Sequence, residues 1–123
     1  MKGEGENYGK LLKRKKMLII KRTAKLNGLR PEMTPVLIIA NEAYSKHGLD
    51  CVVTEGTGSK HGRASLHYVG LAIDFRMNNI PKRYRGRMRN DRKARLGNQY
   101  DVVLEEYPNR QAWDHLHTEY QPK

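Results

Sequence analysis

The sequence has little of the chemistry that staples or anchors a protein: one cysteine, one phenylalanine and one tryptophan in 123 residues. The lone Cys51 cannot close an internal disulfide, and its place in the apolar run Cys51-Val52-Val53 predicts a buried, reduced thiol. The same shortage excludes a thiolate-rich structural metal site. Long apolar runs are also missing. The longest in the first half, Val36-Leu37-Ile38-Ile39-Ala40, falls far short of the roughly 20 residues that cross a bilayer. Met17-Leu18-Ile19-Ile20 is shorter than the about 7–15 residues of a signal peptide's apolar region, so the chain is expected to start life in a cytoplasm. Acidic residues are outnumbered, 13 against 24 basic ones, which gives a formal charge of +11. With 37% hydrophobic residues, a chain of this size buries one modest core and no second, which excludes a multidomain enzyme.

Residues 1–16 include Lys10, Lys13, Arg14, Lys15 and Lys16 with little apolar periodicity. This predicts a flexible basic arm, and a folded domain over residues 17–123. Met17 to Ile20 reads as a short strand and Asn27-Gly28 as a turn. Thr34-Pro35 predicts a helix start, with threonine capping an orphan amide and proline at the first helical position. Val36, Leu37, Ile39, Ala40, Ala43 and Tyr44 follow at helical spacing, and Gly48 suits the left-handed stop. Strands are predicted at Cys51 to Thr54, Leu71 to Phe75, Tyr100 to Leu104 and His115 to Tyr120. Asn79 and Pro81 predict the opening of a second helix reaching Leu96, basic and largely solvated, with Ile80, Tyr84 and Met88 as its apolar row. The expected fold class is α+β, a small antiparallel sheet with helices packed on it, in a single domain.

Histidine and carboxylate gather in two segments, Ser65 to Asp74 and Trp113 to His117. Either alone is as readily a packed histidine or a buried turn aspartate. Two histidines and one carboxylate drawn from them make a three-ligand zinc set that keeps a fourth position open for water, as a catalytic site requires. Residues two apart on a strand share a face, so His115 and His117 can reach one cavity. Asp74, between Ile73 and Phe75, needs a strong partner if buried, and a metal cation is one. Trp113 is expected in the core, and Lys46, His47 and His61 at the surface.

Ser65-x-His67-x-x-Gly70-x-Ala72-x-Asp74, followed by Asp114-His115-x-His117, resembles the signature of the zinc D-alanyl-D-alanine carboxypeptidases and phage endolysin L-alanyl-D-glutamate peptidases. These LAS-type metallopeptidases of the M15 group share the Hedgehog/DD-peptidase fold. The likeness runs from about Leu26 to Tyr120 and leaves residues 1–16 outside. It implies His67, Asp74 and His117 as ligands of one catalytic Zn2+, Asp114 as the acidic general base and His115 as a group that steadies the oxyanion or orients substrate. Ser65 would bind substrate or support a ligand. The family's substrate-gripping arginine has no counterpart in Thr54-Glu55-Gly56-Thr57, which makes Arg63 the nearest substrate-binding candidate. The implied protein is a monomeric peptidoglycan hydrolase of a phage or prophage, made in the host cytoplasm and acting on the peptide stem of the cell wall. Which of Asp114 and His115 is the base stays open.

Lys82, Arg83, Arg85, Arg87, Arg89, Arg92, Lys93 and Arg95 hold much of the excess charge. Such a surface suits anionic envelope polymers. It also raises two other readings, a basic nucleic-acid-binding module and an inactive zinc-binding relative. Helix-turn-helix spacing, zinc-finger spacing and an aromatic-rich sheet signature are all missing, which argues against nucleic acid.

Overall fold

The computed structural model describes residues 16–58 and 65–123. The predicted arm up to residue 15, and with it Arg63 and His61, lies outside the described residues. Strand β1 (Leu18–Ile20) leads through a 3₁₀ turn at Pro31–Met33 into helix α1 (Thr34–Lys46), then strands β2 (Cys51–Glu55) and β3 (Ala72–Arg76). Helix α2 (Lys82–Leu96), strand β4 (Tyr100–Glu105), a 3₁₀ turn at Gln111–Trp113 and strand β5 (His115–Tyr120) complete the domain.

The helix starts differ from expectation in one respect. Thr34 lies inside α1, whose N-cap is Met33, because the preceding 3₁₀ turn runs straight into the helix, with the Thr34 amide donating to the Pro31 carbonyl. Pro81 is the N-cap of α2, while Asn79 turns away to the Asp50 carbonyl at 3.4 Å. Gly48 does take the positive φ of 71° that ends α1.

The five strands form one sheet in the order β1-β2-β3-β5-β4. It is mixed rather than antiparallel, since β1 runs parallel to β2. The reason is the connection: α1 carries the chain back across the sheet between them, and such a crossover returns a strand in the same direction. The other three pairings are antiparallel.

Strand alternation divides the sheet into two faces. Ile73, Phe75, Leu116 and Val102 join Val36, Ala40 and Tyr44 of α1 and Met88 of α2 in the core. Each large apolar side chain buried there contributes roughly 1.5–3 kcal/mol. Cys51 belongs to that core, and burial pushes its thiol up to about 12 despite the opposing charge of Arg92. The native protein at neutral pH is therefore expected to resist thiol alkylation, with labelling of Cys51 appearing only in denaturant, as read by intact mass.

Helix α2 is less solvated than its composition predicts. Arg85 and Arg92 are buried beside Met88, at positions separated by three and four residues that form one helical face. Arg92 has its guanidinium carbon 5.4 Å from the Tyr44 ring centre and 5.5 Å from that of Phe75, so the flat cation packs against aromatic faces. Trp113 reverses its expectation: it is 56% exposed, with Arg110 stacked at 4.6 Å.

Candidate metal centre

The polar face of the sheet gathers the residues with chemistry. Asp74 of β3 stands directly opposite His117 of β5, and Arg76 opposite His115. Across the other edge of β5, His117 pairs with Val103 and His115 with Glu105 of β4. The register of β2 slips between Val53 and Glu55, bringing Glu55 opposite Asp74. Such a bulge re-aims a strand end, here towards the polar face.

His67 arrives from a loop rather than a strand. Its amide donates to Ser65 Oγ at 3.2 Å, which gives Ser65 a supporting part in that turn. The loop is braced at Gly70, where φ is +78° and an added Cβ would lie 2.1 Å from the Gly28 carbonyl oxygen. Only glycine fits this position. Gly56 is equally close to the Lys25 carbonyl, and its own carbonyl oxygen receives His67 Nδ1 at 2.9 Å.

Three donors converge. Ligand atoms of His67, Asp74 and His117 lie within 4.8 Å of one another. His67 Nε2 is 3.5 Å from Asp74 Oδ1, and His117 Nδ1 is 2.7 Å from the same oxygen. Around a tetrahedral zinc with bonds near 2.0–2.1 Å, neighbouring donors are about 3.3 Å apart. The first separation already matches, and the second needs to open by a fraction of an ångström. The donor set, two imidazoles and one carboxylate, fits zinc and leaves a fourth position open.

The electrostatics suit a cation. Burial works to raise the Asp74 carboxyl, but hydrogen bonds from His117 and His67 and the nearby histidine charge outweigh it and hold the acid far below its ordinary range. Burial works to lower His117, yet its bonds to Asp74 and Glu119 push it up to about 9. Both its ring nitrogens face carboxylates, at 2.7 Å each. A metal ion bound here would take the place of the proton on Nδ1.

His115 stands beside the cluster. Its Nδ1 meets the Trp113 carbonyl at 2.8 Å, so Nδ1 carries the hydrogen and Nε2 is turned inward. That nitrogen is 3.7 Å from Asp74 Oδ2 and 3.5 Å from Glu105 Oε1, while Tyr107 stacks on the ring at 5.9 Å. Asp114 is 2% exposed and anchored on both oxygens. Oδ1 accepts from the Tyr107 amide at 2.7 Å, and Oδ2 from Arg85 Nη1 at 2.7 Å. Burial favours its neutral form, but these two bonds prevail and hold the carboxyl below its ordinary value.

A cleft of about 360 Å³ opens beside the donors, walled by Asp74, Asp114, His115, Tyr107 and Trp113 and by the cations Lys21 and Arg76. Sequence reasoning missed Arg85, Glu119, Arg76 and Lys21. Glu119 and Arg76 were within reach of the alternation rule, since each lies two residues past a named ligand on its own strand. Nothing local marks Arg85, whose partner is 29 positions away.

Compared with family models, curated proteins and solved structures, the chain matches none.

Proposed function

We propose that this chain is a zinc-dependent peptidase of bacterial peptidoglycan, hydrolysing an amide bond of the peptide stem. The observation that carries the reading is the convergence of His67, Asp74 and His117, with Asp74 also lining an open cleft. Bound there, zinc supplies a Lewis acid for the scissile carbonyl and lowers the pKa of its water to about 7.

The chain's own residues do the rest. Asp114 accepts the proton of the attacking water and returns it to the leaving amine. Its two hydrogen bonds leave acceptor capacity, because an ionised carboxylate has about four lone-pair sites. His115, whose Nε2 is turned towards Asp74, donates from that nitrogen in its doubly protonated form to the oxygen that gains charge as water adds. The resemblance in the motifs extends the proposal to an M15-type enzyme of the Hedgehog/DD-peptidase fold, acting as a phage or prophage lysis protein, an L-alanyl-D-glutamate endopeptidase or a D-alanyl-D-alanine carboxypeptidase. It is made in the host cytoplasm and works at the wall. No helix among the described residues is long and apolar enough to cross a membrane.

Both candidate bonds lie next to a carboxylate of the stem, and the cleft holds two cations able to receive one, Arg76 and Lys21. Arginine offers the planar fork that matches a carboxylate. Arg76→Ala is expected to raise KM about tenfold or more, the loss of a charge-assisted hydrogen bond of roughly 1.5–3 kcal/mol, with kcat little changed. An unaltered KM, alongside a raised one in Arg63→Ala, would move the anchor to Arg63. Mass spectrometry of purified peptidoglycan incubated with the protein, with and without a zinc chelator, tests the activity itself. Chelator-sensitive release of one defined fragment is expected and identifies the bond, whereas intact wall from both Gram types would overturn the reading.

A further inference from the structure

The two histidines offer unlike nitrogens because unlike partners hold them. A carbonyl oxygen only accepts, so the Gly56 carbonyl at 2.9 Å requires the hydrogen on Nδ1 of His67 and leaves Nε2 for Asp74. His117 is turned the other way, with Nδ1 towards Asp74 and Nε2 at 2.7 Å from Glu119 Oε1. Glu119 belongs to neither motif. Strand alternation nonetheless places it on the polar face, one step along β5 from His117. Its other oxygen, Oε2, accepts from Gln121 Nε2 at 2.6 Å, so the carboxylate is itself held. Glu119 is partly buried, at 19% side-chain exposure, and its bond to His117 is correspondingly shielded from water.

We infer that Glu119 is a positioning residue of the metal centre: its carboxylate keeps the hydrogen of His117 on Nε2, fixes the ring plane, and thereby presents Nδ1 as the metal donor. The inference rests on the zinc reading of His67, Asp74 and His117. Its physical basis is general. An imidazole whose distal N–H is bound to a carboxylate is a stronger donor and has a single orientation, and losing such a partner typically lowers metal affinity about 10–100-fold. Without Glu119, rotation of the ring can bring either nitrogen to Asp74. The backbone carbonyl that holds His67 cannot be deleted by substitution, but the carboxylate that holds His117 can.

The experiment is a zinc competition titration against a chromophoric chelator on the full-length protein, for wild type, Glu119→Gln and Glu119→Ala, with circular dichroism to monitor folding. Imidazole ¹⁵N NMR of each zinc-loaded protein reads which nitrogen carries the hydrogen. Glu119→Ala is expected to weaken zinc by about 10–100-fold and to lose the single Nε2–H state of His117. Glu119→Gln keeps an acceptor oxygen without the charge, so its affinity should fall between the two and its tautomer should persist. If the alanine variant does not fold, the isosteric glutamine variant carries the test through its smaller loss. Wild-type affinity in every variant that folds would overturn the role of Glu119 and leave the metal reading standing. Equal losses above a thousandfold in both variants would make Glu119 a direct ligand and overturn the inference as well. A wild-type protein that binds no zinc would overturn the metal reading, and this inference with it.

Discussion

His67→Ala is expected to abolish zinc binding and peptidase turnover together, while the protein stays folded. Removing one of three donors from a site with an open fourth position leaves two ligands, too few to hold zinc against water and buffer. The thermal signature is the sharper readout, because a ligand that binds only the folded state stabilises it by mass action. Zinc at a thousandfold its Kd adds about 4 kcal/mol. For a domain of 60–100 residues that corresponds to roughly 15 °C or more in Tm. Wild type should show this shift on addition of zinc and lose it to a chelator, whereas His67→Ala should melt at one temperature in both conditions. The apo melting points of the two proteins should lie closer together, since without zinc the alanine gives up the bond to the Gly56 carbonyl and the contact with Asp74 but no metal linkage. A zinc-dependent shift retained in the variant would remove His67 from the ligand set and sink the proposed centre.

This site could be read in the sequence to the extent that its residues obey local rules. His115 and His117 share a face because alternation demands it, and the register that sets Asp74 against His117 agrees. The motif places His67, Asp74 and His117 in one set without revealing how they meet, and the structure brings them together. The strands were legible for the same local reason: β5 occupies His115–Tyr120 as predicted, and β4 runs one residue past its expected end, to Glu105. What could not be read depends on contacts across the chain. The parallel pairing of β1 follows from where α1 carries the chain, not from Leu18-Ile19-Ile20. The helix α2 looks solvated because arginine is nearly always exposed. Two of its arginines are buried because Phe75 and Tyr44 supply a ring surface for one and Asp114 a charge for the other. Trp113, a large apolar residue beside a buried aspartate, reads as core and stands instead at the cleft wall with Arg110 over its ring.

Asp114→Asn is expected to lose both turnover and stability, and the two losses have separate origins. In the proposed reaction Asp114 is the proton acceptor, a role worth about 10²–10⁴-fold in rate. As the buried partner of Arg85, it also closes the end of the sheet. Arg85 is satisfied by three bonds, from Nε to the Ile80 carbonyl at 2.8 Å and from Nη1 to Glu106 at 2.9 Å and Asp114 at 2.7 Å. Asparagine keeps an acceptor for the Tyr107 amide but turns an uncharged group towards the guanidinium. Breaking a buried pair from one side costs about 3–5 kcal/mol, and the remaining bond to Glu106 puts the expected loss near 3. Arg85→Met, which leaves the Asp114 charge buried alone, should cost at least as much. The double variant, with neither charge, should be more stable than the sum of the single losses predicts, by about 2 kcal/mol in a thermodynamic cycle. The pH dependence has a definite sign. Because the folded-state pKa of Asp114 is lowered, its contribution is fully present above the unfolded value of about 3.9 and is lost as pH falls through the folded one. The stability gap between wild type and Asp114→Asn should therefore be full at pH 7 and shrink on acidification below about pH 4. Urea melts at pH 7 and pH 3, read beside turnover at a temperature where the variant is folded, separate the two roles. Turnover lost with stability unchanged would make Asp114 a base and nothing more, whereas stability lost with turnover intact would pass the proton transfers to His115.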